Sequence, residues 1–144
     1  MINSTLALFY ERDIRKLIEE VQLFNDEENL WRIKPGINNP AGNLVLHITG
    51  GTNYWIGTQL ADIGYVRHRS QEFSARGVER KLLIAGLEAL IPMVKQVCES
   101  TDLDAEFPIP FDDAKRTNGY LLLQLLAHLN YHLGQVNYLR RMLE

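Results

Sequence analysis

The chain has 144 residues, 46% of them hydrophobic and 23% charged, with a net charge of -3. That balance describes an ordinary globular domain, long enough to bury a core over residues 1–144, and it lacks the basic stripe that nucleic-acid binding needs. No apolar run approaches the roughly 20 residues required to span a bilayer, the first ten residues lack the basic start of a secretory signal, and the single Cys98 excludes an internal disulfide, so a cytoplasmic protein without membrane or nucleic-acid partners is expected.

The first helix is predicted from about Ser4 to Phe24, where Leu6, Phe9, Tyr10, Ile14, Leu17, Ile18, Val21 and Phe24 recur at spacings of three and four. A connector punctuated by Pro35, Gly36 and Pro40 follows. The second helix begins near Pro40 or Ala41 and continues to about Ala61, with Gly50, Gly51 and Gly57 in its interior. Each interior glycine costs about 1 kcal/mol against alanine, which leaves two readings open: close approach of another backbone, from a neighbouring helix or a second subunit, or simple tolerance. A polar stretch from Tyr65 to Ser74 separates it from the third helix, for which Ser74 is the expected N-cap. That helix carries Val78, Leu82, Leu83, Leu87, Leu90, Ile91, Val94 and Val97 to near Glu99, with a kink or break expected at Pro92. Two prolines keep Glu106–Phe111 extended, as a short arm leading to Asp112 and Asp113, both expected in turn or helix-dipole roles. The fourth helix starts near Thr117 or Asn118 and ends on Arg140 and Arg141, which suit a helix C-terminus. The natural solution is an all-α fold, a four-helix bundle with an extended arm between helices three and four.

The chemistry concentrates on three histidines. His128 and His132 lie one turn apart on the fourth helix, in a stripe with Leu121, Leu125 and Val136, so both imidazoles can reach one metal ion. The spacing alone leaves metal binding and a hydrogen-bonded core pair both open. His47, on the apolar face of the second helix, adds a third imidazole, and bundle metal sites are built from facing helices. His68, between Arg67 and Arg69, reads as a solvated loop residue. Leu129 occupies the place of the glutamate in H-E-x-x-H, which disfavours a metalloprotease, and Glu-x-x-His di-iron spacing is missing too. Cys98 reads as a small core residue.

Several segments, in order along nearly the whole chain, carry a family resemblance: Gly42-Asn43-Leu44-Val45-Leu46-His47, Arg67-His68-Arg69-Ser70-Gln71-Glu72-Phe73, Pro108-Ile109-Pro110-Phe111 with Arg116-Thr117, and His128-Leu129-Asn130-Tyr131-His132-Leu133-Gly134-Gln135. In these the chain resembles the DinB-like (DinB/YfiT-like) superfamily of metalloenzymes, nearest a bacterial branch of unassigned function. The resemblance implies a four-helix bundle holding a divalent metal, zinc or nickel foremost, through His47, His128 and His132. It also implies homodimers, and relatives that include S-transferases using mycothiol, bacillithiol or glutathione and a thiol-dependent isomerase. Two positions depart from the pattern: His68 stands where an acidic residue is expected, and Gly51 where a polar side chain is common.

The expected function is therefore a divalent-metal-dependent enzyme on a small-molecule substrate, an S-transferase with a low-molecular-weight thiol as cosubstrate. Metal-dependent hydrolysis, or a non-catalytic dimeric bundle that binds a metal or small ligand in stress response, are the alternatives. Tyr54 and Tyr131 are candidate catalytic hydrogen bonders. Arg67 and Arg69 are candidate contacts for a thiol carboxylate, with core packing for the tyrosines and solvated loop charge for the arginines as the plainer readings.

Overall fold

Apolar residues recurring every three to four positions draw Ile2–Leu23 into helix α1, which buries Leu6, Tyr10, Ile14, Leu17 and Val21 along one face. The structure is a computed structural model that describes residues 2–144. A 3-10 turn over Glu27–Trp31, capped by the Asp26 carboxylate accepting from the Glu28 N–H, leads into the second long helix. There α2 (Ala41–Thr52) runs into a π-helical segment (Asn53–Thr58) and the short α3 (Gln59–Ala61), so helix covers the stretch the apolar pattern predicts. A separate short helix, α4, occupies Arg69–Ser74. Helix α5 spans Arg80–Ser100 and α6 spans Asn118–Leu143, the latter started by Thr117, whose hydroxyl accepts from the Tyr120 N–H.

Pairwise contacts set the helix directions. Asp13 meets Asn130 and Glu20 meets Asn137, so α1 and α6 run parallel. Asn3 bonds the carbonyls of Cys98 and Thr101 while Arg80 bonds those of Gln22 and Phe24, which makes α1 and α5 antiparallel. Gly86 lies against Thr49 and Gly57 against Met93, so α2 and α5 share a direction opposite to α1 and α6. The fold is thus an all-helical bundle whose core is filled by Leu17, Leu87, Leu121, Leu122 and their neighbours. Each such fully buried side chain contributes roughly 1.5–3 kcal/mol.

Three sequence expectations need correction. Ser74 does not cap the third long helix. It ends α4, inside the polar stretch, and α5 starts only after Glu79, leaving Val78 outside it. Pro92 does not interrupt α5: the helix is continuous, with Pro92 on its exposed side. Of the readings left open for the glycines of the second helix, close approach holds for side chains and not for a neighbouring backbone, at Gly42 and Gly50 of α2 and at Gly57 of the π-helical segment. A Cβ on Gly42 would meet the Trp31 ring at 2.6 Å, one on Gly50 would meet Glu72 Oε2 at 2.0 Å, and one on Gly57 would meet Ile63 Cδ1 at 2.4 Å.

The segment between α5 and α6 folds back on itself through two isolated bridges, Glu106 with Thr117 and Phe111 with Ala114. Phe111 and Ala114 exchange both backbone hydrogen bonds across Asp112 and Asp113, which adopt φ of 52° and 57°. Two left-handed residues in a two-residue loop are the geometry that Asn-Gly favours, and aspartate tolerates it less well. Asp113→Gly is therefore expected to stabilise the protein by about 0.5–1 kcal/mol, a rise of roughly 2–4 °C in Tm at most. A thermal melt with unchanged or lowered Tm would instead give the Asp113 side chain a stabilising contact of its own.

Candidate metal centre

His47 is placed by α2, where Leu44, Val45 and Ile48 bury the same helix against the core. His128 and His132 are placed by α6, on the edge of the stripe whose buried members are Leu121, Leu129 and Val136. The pair is half-buried rather than in the core with the leucines. The three rings meet edge to face, with centroids 4.4–5.3 Å apart. His128 Nε2 lies 3.2 Å from His47 Nε2 and 2.9 Å from His132 Nε2, and one ligand atom from each residue falls within 4.8 Å of the others.

Hydrogen bonds on the far side of two rings fix which nitrogen carries the proton. His47 Nδ1 is 3.0 Å from Glu72 Oε1, and His132 Nδ1 is 2.7 Å from Gln135 Oε1. Both partners are acceptors, so each Nδ1 is the N–H and each Nε2 presents its lone pair. With neutral rings, at most one proton, on His128 Nε2, remains to be shared among three converging nitrogens. Burial holds the rings neutral: desolvation lowers the pKa of His47 and of His132, and His128 falls to about 4, through desolvation first and then its cationic-capable neighbours. Facing lone pairs repel unless a cation lies between them. Nitrogens about 2.0–2.1 Å from a tetrahedral ion stand about 3.3 Å apart, close to the separations of His128 from its partners. The donor set fits a divalent metal, and three imidazoles leave a position open.

Behind His47 lies a group to which the sequence pattern assigned no role. Glu72, on α4 and buried, takes the Nδ1–H of His47 on one oxygen and is clasped by Arg67, whose Nε donates to Oε2 at 2.9 Å and Nη2 to Oε1 at 2.9 Å. Gly50 leaves the space in which the Glu72 carboxylate sits, and a Cβ on Gly51 would lie 3.4 Å from Arg67 Nη2. Asn43 fixes α4 itself, donating to the carbonyls of Glu72 and Ala75. Phe73 then stacks against His47 with centroids 4.8 Å apart. The hints in the sequence were the glycine doublet one turn beyond His47 and the Arg67–Phe73 segment that carries the family resemblance, neither of which assigned Glu72 a role.

Two clefts flank the three histidines. One, of 320 Å³, touches His47 and His128 and is lined by Thr52, Trp55, Arg67, Arg69, Phe111 and Gln124 among others. The other, of 440 Å³, touches His132 and is lined by Leu44, Tyr131, Gln135, Tyr138 and Met142, with no charged side chain. Of the residues singled out from the sequence, Arg67 and Arg69 line the first cleft, and Tyr131 lines the second with its ring 5.3 Å from His132. Tyr54 lines neither and packs edge-on to Trp55. Arg67 is no solvated loop charge but half of a buried ion pair. His68 is exposed, and Cys98 is buried, its thiol pushed up to about 12 by desolvation.

Glu72→Gln keeps the shape but loses the charge that orients His47, and zinc affinity should fall roughly 10- to 100-fold in a competition titration with a chelating dye. Gly50→Ala should act in the same direction by displacing the carboxylate. Unchanged affinity in both variants would confine Glu72 to a stabilising role. The histidine shifts also set a pH dependence. Their folded pKa values lie below the ordinary 6.5, so the unfolded chain binds protons more readily between about 6.5 and 4. The stability of metal-free protein is therefore fully present above 6.5 and declines as pH falls through that window. Urea denaturation at successive pH values would read it, and a flat profile would contradict the burial argument.

No curated protein matches the chain. The fold is similar to that in the crystal structure of a DinB-like protein from Bacillus cereus ATCC 10987, with a TM-score of 0.72 at 17% identity over 95% of this chain and 89% of the other. The family model of the DinB superfamily matches residues 10–136, a span containing all three histidines, Glu72 and both clefts' histidine walls. The chain belongs to the DinB superfamily.

Proposed function

We propose that the protein is a divalent-metal-dependent enzyme that transfers a low-molecular-weight thiol to an electrophilic small molecule. The convergence of three imidazole nitrogens at the wall of an open cleft carries this reading. A zinc or nickel ion held by His47, His128 and His132 would supply Lewis acidity, favouring the thiolate form of a thiol at neutral pH. In the transfer, the thiol sulfur forms a bond to the electrophilic carbon, the S–H proton passes to water, and the leaving group departs with the bonding electron pair.

The chain's own residues prepare the site for that chemistry. Glu72 holds the Nδ1 proton of His47 and keeps Nε2 free to bind metal, while Arg67 holds the Glu72 carboxylate in place. Gln135 does the same for His132. No Asp or Glu among the described residues lines either cleft, so neither thiol transfer nor hydrolysis would draw on a carboxylate base there, and activation would fall to the metal. Tyr131, whose ring lies 5.3 Å from that of His132, is the tyrosine we propose to hydrogen-bond a reacting molecule. The lone, buried Cys98 suits a reducing cytoplasm, the compartment where low-molecular-weight thiols are abundant.

Metal content of untagged protein and of a His128→Ala, His132→Ala variant, measured by inductively coupled plasma mass spectrometry, is the first test. Near-stoichiometric metal is expected in the wild type and its loss in the variant. The metal-loaded wild type should then consume glutathione, bacillithiol or mycothiol in the presence of an aryl halide or epoxide, with at least a 100-fold loss in the variant. Loaded protein that turns over none of these pairs would remove the transferase reading, and wild type that takes up no zinc or nickel would remove the metal as well.

A further inference from the structure

The 320 Å³ cleft beside His47 and His128 has a chemical character of its own. Its charged lining is wholly cationic: Arg67 and Arg69, with no acidic side chain. The two arginines are not equivalent. Arg67 spends its Nε and one Nη on Glu72. Arg69 makes no hydrogen bond or ion pair with any described residue, and its guanidinium lies over the Phe73 ring at 5.2 Å from the centroid. Stacking of this kind braces the planar group while leaving its N–H edge available.

Two further polar groups of the same cleft lack a partner among the described residues. Thr52 is 8% exposed, and its hydroxyl bonds nothing among them; the Gln124 amide is likewise unengaged. Both groups open onto the cleft, where they are available as hydrogen-bonding partners for a bound molecule. The remaining wall is apolar, formed by Ile48, Leu125, Leu129 and the edge-to-face pair Trp55 and Phe111, with centroids 5.0 Å apart. The uncharged cleft on the His132 side offers no comparable cation.

We infer that this cleft binds a small carboxylate-bearing molecule with an apolar body, its carboxylate held by Arg69 and hydrogen-bonded by Thr52 or Gln124, its body against Trp55 and Phe111. The planar fork of a free guanidinium matches the two oxygens of a carboxylate. The inference deepens the reading above by naming the substrate class, and it rests on that reading only in placing this ligand beside the metal.

Trp55 supplies the readout. Phenylacetate and its neutral isostere phenylacetamide are titrated into zinc-loaded wild type, Arg69→Ala and Arg69→Lys while Trp fluorescence is followed, with Trp55→Phe identifying the signal. Saturable quenching by phenylacetate is expected, weakened roughly tenfold or more in Arg69→Ala and partly restored in Arg69→Lys, with metal content unchanged across the three. Phenylacetamide should bind wild type and Arg69→Ala alike and weakly. Equal phenylacetate affinity in wild type and Arg69→Ala, phenylacetamide binding as tight as phenylacetate, or no saturable quenching would each overturn the inference. The same titration on His128→Ala, His132→Ala protein separates the two readings. Arg69-dependent binding there upholds the carboxylate subsite even if the wild type proves to hold no metal.

Discussion

The contact between Glu72 and His47 is the constraint around which the site is organised. A carboxylate carried on a six-residue helix reaches a histidine on a neighbouring helix only because Gly50 presents no side chain there. The pair is then closed from outside by the bidentate Arg67, giving a row of guanidinium, carboxylate and imidazole in which each member orients the next. Removing one member of such a buried pair leaves an uncompensated charge, at a cost of about 3 kcal/mol or more. The row therefore ties the orientation of His47 to the folding of the whole α4 segment.

The same device recurs along α2 and the π-helical segment that continues it. Gly42 admits the Trp31 ring and Gly57 admits Ile63 and Met93, so the helix is a backbone rail with sockets for groups from the segments before and after it. Asn43, next to the first socket, fastens the end of α4 through two carbonyls, and Arg76 in turn bonds the Asn43 amide oxygen. The glycines cost helix propensity, and the side chains they admit offset that cost by burial and ion pairing.

Helix α6 is held by a different means. Asp13, fully buried on α1, accepts from Asn130, which lies between His128 and His132, while Glu20 accepts from Asn137 and Arg140 further along. These polar clamps fix the rotation of α6 about its axis, which an interface of interchangeable leucines would leave less well defined. The two histidines consequently stand at the seam between two clefts of unlike character, one cationic and partly aromatic, one uncharged.

The long helices and the histidine pair were legible in the amino-acid sequence because both depend on local periodicity. Apolar residues at three- and four-residue spacings bury one face of a helix, and residues four apart share that face wherever the helix docks. The bundle and the grouping of His47 with the pair followed from this, helped by the family resemblance. Glu72, the short α4, the late start of α5 and the contrast between a committed Arg67 and an Arg69 without a hydrogen bond or ion pair among the described residues were decided only in three dimensions. A six-residue helix leaves too short a pattern to read, and Ser74 offers the same capping chemistry whether it begins a helix or ends one. What fills the space beside a glycine is set by which segment the chain brings there, and local sequence carries no record of that neighbour.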